Sequence, residues 1–410
     1  MPSVRVTSEI GPLRAVLVHT PGNELLAVTP GTRKAYLYDD LIDLQSARRE
    51  HRSLTAVLEQ FAEVFEVGRV LSDVLDRQDV REFFISRTMD AIPSQLLARR
   101  LADLPSDELV RCLIEGAEQE AGPIGRALNV VGYSLPPLPN LFFMRDAGIV
   151  IGDHAVVGSM RYGARWSEEL LIKLLFQFHP SLQNAGLLYD GSVERRTTYS
   201  LEGGDVHPVR PDLVLLGFSS RSSPAALDHL CEMLFRQTNV TDVIVVVLPN
   251  EPTAIHLDMV FTQVDQQLCV VYPPHFIGPE RLAVLHCRKG RDTVTEMPDF
   301  FTALEQVDNG LEPILCGGRH RGVQEREQWG SGCNMFAVRP GVVVGYERNV
   351  RTLEHFELAG FTVVPAATLL TGDATIADGQ RAVITLEGAE LVRGGGGPRC
   401  MTLPIRRGDP

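Results

Sequence analysis

The sequence predicts a mixed α/β protein with a helical segment set into its first half. Two patterns carry that expectation. Short apolar runs of strand length alternate with amphipathic helical stretches over most of the chain. A nearly unbroken helical pattern occupies about Leu71 to Ala121. The 410 residues suffice for one large domain or two modest ones with real cores.

In chain order, Leu13–His19 reads as a first buried strand. Leu41–Phe61 has helical periodicity and runs into a short strand near Val64–Val67. The helical stretch that follows contains Asp79–Arg87, Ser94–Leu104 and Ser106–Glu120, with Ser106 as an N-cap before Asp107 and Glu108. Pro136–Pro139 punctuates the return to strands. Ile149–Ile151 and Ala155–Val157 flank a Gly152-Asp153 hairpin turn. Trp166–Phe178 is an amphipathic helix capped by Ser167. Leu213–Gly217, Asp242–Val247 and Leu268–Tyr272 are buried strands. Ala225–Arg236 is a helix with Ser222 or Ser223 as cap and Pro224 in its first turn. Phe336–Tyr346 forms a hairpin around Pro340-Gly341. No sequence repeat is exact, but the strand and helix rhythm recurs, as degenerate structural repeats would.

Composition excludes several classes. A formal net charge of −13, from 39 basic against 52 acidic residues, repels polyanions and argues against nucleic acid as a partner. No apolar run approaches the length of a membrane span, and the N-terminus has no signal-peptide core, so a cytoplasmic protein is expected. The 7 cysteines are widely spaced with no Cys-x-x-Cys pair, which argues for reduced thiols and against a disulfide framework or zinc ribbon.

Five segments carry chemistry. In Ile255-His256-Leu257-Asp258-Met259-Val260-Phe261, strand alternation would set His256 and Asp258 on one face and the apolar residues on the other. So polar a pair in an apolar run costs free energy unless hydrogen-bonded or used, which leaves a structural and a catalytic pair both open. In Leu201-Glu202-Gly203-Gly204-Asp205-Val206 the glycines permit close backbone approach, or simply a tight turn with solvated carboxylates. Pro139-Asn140-Leu141-Phe142-Phe143-Met144-Arg145-Asp146 sets Asn, Arg and Asp among aromatics, and a structural Arg145–Asp146 contact is the plain alternative. Arg165 and Arg221 each precede a helix start. A guanidinium fork binds carboxylates in two parallel hydrogen bonds, although a lone arginine is usually a solvated surface residue. Finally, the run Gly394–Gly397 leads through Pro398-Arg399 to Cys400. The cation beside Cys400 would lower its thiol pKa and make a nucleophile, against the alternatives of a flexible tail loop and an inert buried thiol. No Gly-Lys-Ser/Thr follows the glycines, which argues against phosphate binding.

In this order along the chain, these segments resemble the arginine deiminases of the guanidino-group-modifying superfamily. The matching residues include Asn140, Phe143 and Arg145-Asp146, then Met160 with Ala164-Arg165, and Glu202-Gly203-Gly204-Asp205. Arg221-Ser222-Ser223, His256-Leu257-Asp258 and Arg326-Glu327-Gln328-Trp329 with Asn334 follow, and the terminal Pro398-Arg399-Cys400-Met401 completes the set. Glu9-Ile10-Gly11-Pro12-Leu13 and Leu37-Tyr38-Asp39-Asp40 match as well.

The resemblance implies an α/β fold of the pentein type, a five-fold pseudosymmetric α/β propeller. Residues 1–70 and 132–410 would form the catalytic domain and 71–131 an inserted helical domain. It implies Cys400 as nucleophile, Asp146 and Asp258 as the carboxylates that grip the guanidinium, and His256 as general acid/base with Glu202 beside it. Arg165 and Arg221 would clamp the substrate α-carboxylate, and Asn140, Phe143 and Gly394 would line the site. The implied reaction is hydrolysis of L-arginine to L-citrulline and ammonia through an amidino-cysteine, without metal or organic cofactor. The small-molecule guanidino substrate would be its partner, and a homo-oligomer, dimer or tetramer, is implied by analogy. Alternatives with the same intermediate are an amidinotransferase and an arginine dihydrolase, and a silent guanidino-binding protein is the non-enzymatic one. Gly395 stands where many members carry an arginine, Trp329-Gly330-Ser331-Gly332 lacks an acidic residue near Ser331, and Met144 and Ala147 replace the commoner Thr and Pro. These changes spare the reacting groups and fall on the pocket for the substrate tail.

Overall fold

A computed structural model describes residues 3–119, 121–128, 132–193 and 199–410. One local unit recurs in it: an antiparallel strand pair, a helix, and a strand that returns parallel to the second. The first complete example is Gly148–Ile151 and His154–Val157, helix Trp166–Phe178, and strand Leu187–Asp190. The next is Val206–Arg210, Leu213–Phe218, helix Pro224–Gln237 and strand Asp242–Val247, widened by antiparallel Val284–Arg288 and Thr295–Met297. Phe261–Gln263, Leu268–Val271, helix Phe300–Gln306 and strand Glu312–Leu315 make another. Phe336–Arg339 and Val342–Tyr346 pair likewise, and Ala382–Leu386 lies parallel between Val342–Tyr346 and Thr362–Pro365. The last unit joins the chain ends: Leu403–Arg407 runs antiparallel to Leu13–Val18, and Glu63–Glu66 returns parallel after helix Leu44–Glu59.

The strands form because their central members are apolar on both faces, as sheets covered on two sides require. Leu213, Val214, Leu215 and Leu216 are all fully buried. The turn just before each unit's first strand is the feature that matters for the site. These turns hold Asp146 before Gly148, Glu202 before Val206, His256 and Asp258 before Phe261, Asn334 before Phe336, and Cys400 before Leu403.

The helical stretch consists of Val67–Leu75, Gln78–Ala91, Gln95–Asp103, Ser106–Glu115 and Pro123–Leu128. Its apolar residues, among them Leu71, Val80, Leu101 and Leu109, share one cluster with Ile172, Leu175 and Leu403. Ser94 caps its helix by accepting from the Leu97 N–H. Ser106 does not cap: it is the first helical residue after Pro105, and its hydroxyl accepts from Arg81 at 2.8 Å instead. That helix stops at Glu115 because Gly116 takes a φ of 86°, and the expected extension to Glu120 reaches beyond the described residues. The expected Ser167 cap is also absent, since Arg165 occupies the N-cap position. Among the described residues no helix is long and apolar enough to cross a membrane.

Truncating Leu215, on an interior strand of the five-stranded sheet, removes a fully buried side chain. Leu215→Ala should cost about 2–5 kcal/mol in urea unfolding at unchanged m-value, and a loss below about 1 kcal/mol would show that this sheet is not tightly packed.

Candidate active site

The five turns converge on a cavity of about 500 Å3 lined by Asn140, Phe143, Asp146, Arg165, Arg221, His256, Gly394 and Cys400 among others. Glu202 and Asp258 lie behind its wall, both fully buried.

His256 is reached through Glu202. The His256 Nε2 is 2.9 Å from Glu202 Oε2, and its Nδ1 is 3.7 Å from Asp146 Oδ1. The paired glycines make this approach possible. A Cβ on Gly204 would stand 2.6 Å from the imidazole, and one on Gly203 would stand 2.0 Å from the Arg145 carbonyl oxygen. The expected tight turn with solvated carboxylates is therefore incorrect: Glu202 and Asp205 are wholly buried in a short 3-10 turn.

The expected strand at Ile255–Phe261 is also incorrect. Leu257–Met259 is a 3-10 turn, and the strand begins only at Phe261. Asp205 is the cause: its Oδ1 accepts the Leu257 N–H at 2.9 Å, while Oδ2 accepts the hydroxyls of Ser219 and Ser222 at 2.6 Å each. His256 and Asp258 thus reach the site from the two ends of a turn rather than from one face of a strand.

Each guanidinium-type carboxylate is held by one oxygen and open at the other. Asp146 Oδ2 accepts from Arg165 Nη1 at 2.6 Å, and Asp258 Oδ2 accepts from Arg399 Nη1 at 2.7 Å. Asp146 Oδ1 and Asp258 Oδ1 are buried without a hydrogen-bond partner among the described residues. The expected Arg145–Asp146 contact does not form; Arg145 faces Glu9 at 3.5 Å.

The arginines divide their duties unequally. Arg165 directs Nε and Nη2 to Glu168 and shares Nη2 with the carbonyl oxygens of Asn140 and Phe143, so its fork mainly holds protein groups. Arg221 gives Nη1 to Glu202 at 3.0 Å and lies over the Tyr162 ring at 4.9 Å, at the cavity wall.

Cys400 is locked by Asn334. The Asn334 amide oxygen accepts the Gly397 and Cys400 N–H groups, and its nitrogen donates to the Asp258 carbonyl and to the Cys400 sulfur at 3.0 Å. The sulfur is also 3.5 Å from Asp258 Oδ2. Arg399, expected to make the thiolate, is spent on Glu9 and Asp258. Burial, then Asp258 and Asp146, push the Cys400 thiol well above its usual range, and the Gly397 N–H and Arg399 only partly oppose them.

The histidine is raised as well, but against the effect of burial. Burial pulls His256 down, but Asp146, the hydrogen bond to Glu202, Asp205 and the Glu202 charge outweigh it and raise it to about 9. Burial pushes Glu202 up, and Arg221, His256 and Arg165 more than offset that, holding its carboxyl well below the usual range. Near neutral pH the site therefore pairs an imidazolium with an uncharged thiol.

Asp146, Glu202 and His256 bring one donor atom each within 4.8 Å of one another, as a divalent cation would need. Arg165 and Arg221 already occupy the two carboxylates, and their charges would repel such an ion.

A sequence model described as arginine deiminase matches residues 34–407. The chain belongs to the arginine deiminase family. It is an amidine-acting hydrolytic enzyme. Relatives named arginine deiminase include one from Bacillus cytotoxicus, 30% identical over 99% of each chain, and one from Listeria welshimeri, 31% identical over 99% of this chain and 98% of the relative. Among solved structures, the substrate-bound N-terminal domain of ArgZ, a cyanobacterial arginine dihydrolase, superposes with a TM-score of 0.54 at 14% identity over 96% of this chain and 98% of that one. SxtG, an amidinotransferase of saxitoxin biosynthesis from Microseira wollei, gives 0.56 at 12% identity over 100% and 98%. At such identities these two bear on the fold alone, a mixed α/β one.

Four contributors were not singled out from sequence. Asn334 and Asp205 lie inside quoted motifs, and their full burial at turns before strands is the signal that marks them. Glu9 and Glu168 act through the arginines they hold, which only spatial proximity reveals.

If burial and the two aspartates keep the sulfur protonated, iodoacetamide should alkylate Cys400 of the free enzyme slowly at pH 7 and progressively faster as pH rises. Asp146→Asn should speed the pH 7 reaction, because it removes one negative neighbour. A rate that is fast and pH-independent between 7 and 9, or slower in the variant, would contradict this electrostatic picture.

Proposed function

We propose that the enzyme hydrolyses L-arginine to L-citrulline and ammonia through a covalent amidino-cysteine on Cys400. One observation carries this reading: Asp146, beside the imidazole, and Asp258, beside the thiol, each keep one buried oxygen, Oδ1, without a hydrogen-bond partner among the described residues. A planar cation with N–H groups on several edges is the ligand such acceptors suit.

Arginine's guanidinium enters with its N–H groups on those two oxygens, and Arg221, helped by Arg165, takes the α-carboxylate. Asn140, Phe143 and Gly394 line the side chain's path. The arriving cation offsets the negative charge that keeps the sulfur protonated, so the thiol gives up its proton to solvent water as substrate binds. The thiolate attacks the central guanidinium carbon. His256, already an imidazolium, protonates a terminal nitrogen, and ammonia leaves with the C–N bond electrons. The neutral imidazole next takes a proton from water, whose oxygen adds to the amidino carbon. Collapse of the adduct passes its hydroxyl proton to the departing Cys400 sulfur, which restores the thiol and releases the ureido product. Glu202 holds the imidazole ring throughout and favours its charged form.

The five strand–strand–helix–strand units, each with a site turn before its first strand, support reading the fold as a five-fold pseudosymmetric α/β propeller with residues 71–131 as an inserted helical domain.

Incubating the protein with arginine should release ammonia and citrulline in equal amounts, with or without an added amine acceptor. Cys400→Ala should abolish turnover while retaining a folded chain. Ornithine as the main product would instead make it a dihydrolase, amidino transfer to the amine a transferase, and activity surviving in Cys400→Ala would refute the nucleophile.

A further inference from the structure

The cavity above Cys400 continues outward. Trp329, Val392 and Arg393 wall both it and a second cavity of about 410 Å3. Arg326, Arg348 and Arg393 border this outer cleft, with Glu325 as its acid. Glu325 is already paired with Arg321 at 2.7 Å. Arg326 and Arg348 make no ion pair among the described residues, whereas Arg321, Arg339 and Arg351 nearby each do. In a chain of net charge −13 this is a local reversal of sign. Trp329 is 48% exposed at the junction of the two cavities. Gly395, also on the inner wall, has φ 89°, and a Cβ there would meet nothing within 4 Å, so the glycine loop places no side chain across the opening.

We propose that the outer cleft is a subsite for an anionic substituent on the substrate's amino-acid end, and that the enzyme accepts arginine whose α-amino group carries an acidic acyl or aminoacyl group. This rests on the guanidino reading of the Cys400 site. With the guanidinium on the two aspartates and the α-carboxylate at Arg221, the α-amino group is the position from which a substituent can leave through the mouth. Its amide plane lies against the Trp329 ring, a flat apolar surface with a polar edge. Its carboxylate meets Arg326 and Arg348, whose forks bind such groups bidentately. Arg393 is already paired with Asp40 and Glu390, so a cationic substituent is rejected by like charge at Arg326 and Arg348.

The test compares kcat/KM for arginine, glutamyl-arginine and lysyl-arginine, reading the ureido product of each. Glutamyl-arginine should exceed lysyl-arginine by about tenfold or more. The double variant Arg326→Glu with Arg348→Glu should reduce that ratio by at least about tenfold, and Trp329→Ala should weaken both dipeptides relative to arginine. Turnover of arginine but of neither dipeptide, or a charge preference unchanged in the double variant, overturns the subsite while leaving the guanidino reading intact. No ureido product from any of the three, arginine included, means that the guanidino reading itself has failed and takes the subsite with it.

Discussion

Two buried acid–arginine pairs set the terms for the whole site. Asp146 leans on Arg165, and Asp258 on Arg399, each through a single oxygen. Breaking an ion pair buried this deeply by removing one partner is strongly destabilising, by about 3–5 kcal/mol, so these aspartates are fixed in place. Each arginine is itself held from behind: Arg165 by Glu168, Arg399 by Glu9. The result is two rigidly held carboxylates on either side of the Cys400–His256 pair, each with one oxygen left without a partner among the described residues. Preorganised groups of this kind need no rearrangement during reaction, which is where most electrostatic catalysis comes from.

In the proposed reaction, the charges that would receive a guanidinium also keep the Cys400 sulfur protonated in its absence. Asp258 Oδ2 sits 3.5 Å from the sulfur, and the Asn334 amide pins the backbone around it. A thiolate there would face two carboxylates across a dry gap. A cationic ligand would offset that penalty, so in the proposed reaction substrate and nucleophile activate each other. Selectivity follows from the same arrangement, because a neutral or anionic compound reaching the cavity would leave the sulfur protonated. Asp146 raises the histidine too, with Glu202 and Asp205, so one network of carboxylates favours a charged imidazole and an uncharged thiol.

Much of this was legible before any coordinates. The helix Trp166–Phe178 and the strand Asp242–Val247 follow from apolar periodicity and end where expected, and the hairpins around Gly152 and Gly341 follow from turn chemistry. What periodicity misjudged was local and had local causes. Ile255–Phe261 looks like a strand because its residues are β-formers, yet a carboxylate distant in sequence, Asp205, captures the backbone N–H at Leu257 and turns the chain. Arg399 looks like the activator of its neighbour Cys400, yet its side chain is drawn to Glu9, 390 positions away in the chain. Adjacency in sequence says little about which charges meet once strands are assembled. The repeat was visible only as a rhythm, because its units share a path of the backbone and the placement of one polar turn, not residue identities. With the rhythm in hand, Asn334 stands out: it occupies, in its own unit, the position that Asp146, Glu202, His256 with Asp258, and Cys400 hold in the others.

The claim on which the account turns is that the open oxygens of Asp146 and Asp258 share one guanidinium. A crystal structure of Cys400→Ala with arginine bound measures this directly. The account predicts the guanidinium plane hydrogen-bonded to both Asp146 Oδ1 and Asp258 Oδ1, with its central carbon facing the position left by the sulfur. A guanidinium bound at Glu202 or at the cavity mouth, with either aspartate oxygen uninvolved, would contradict it.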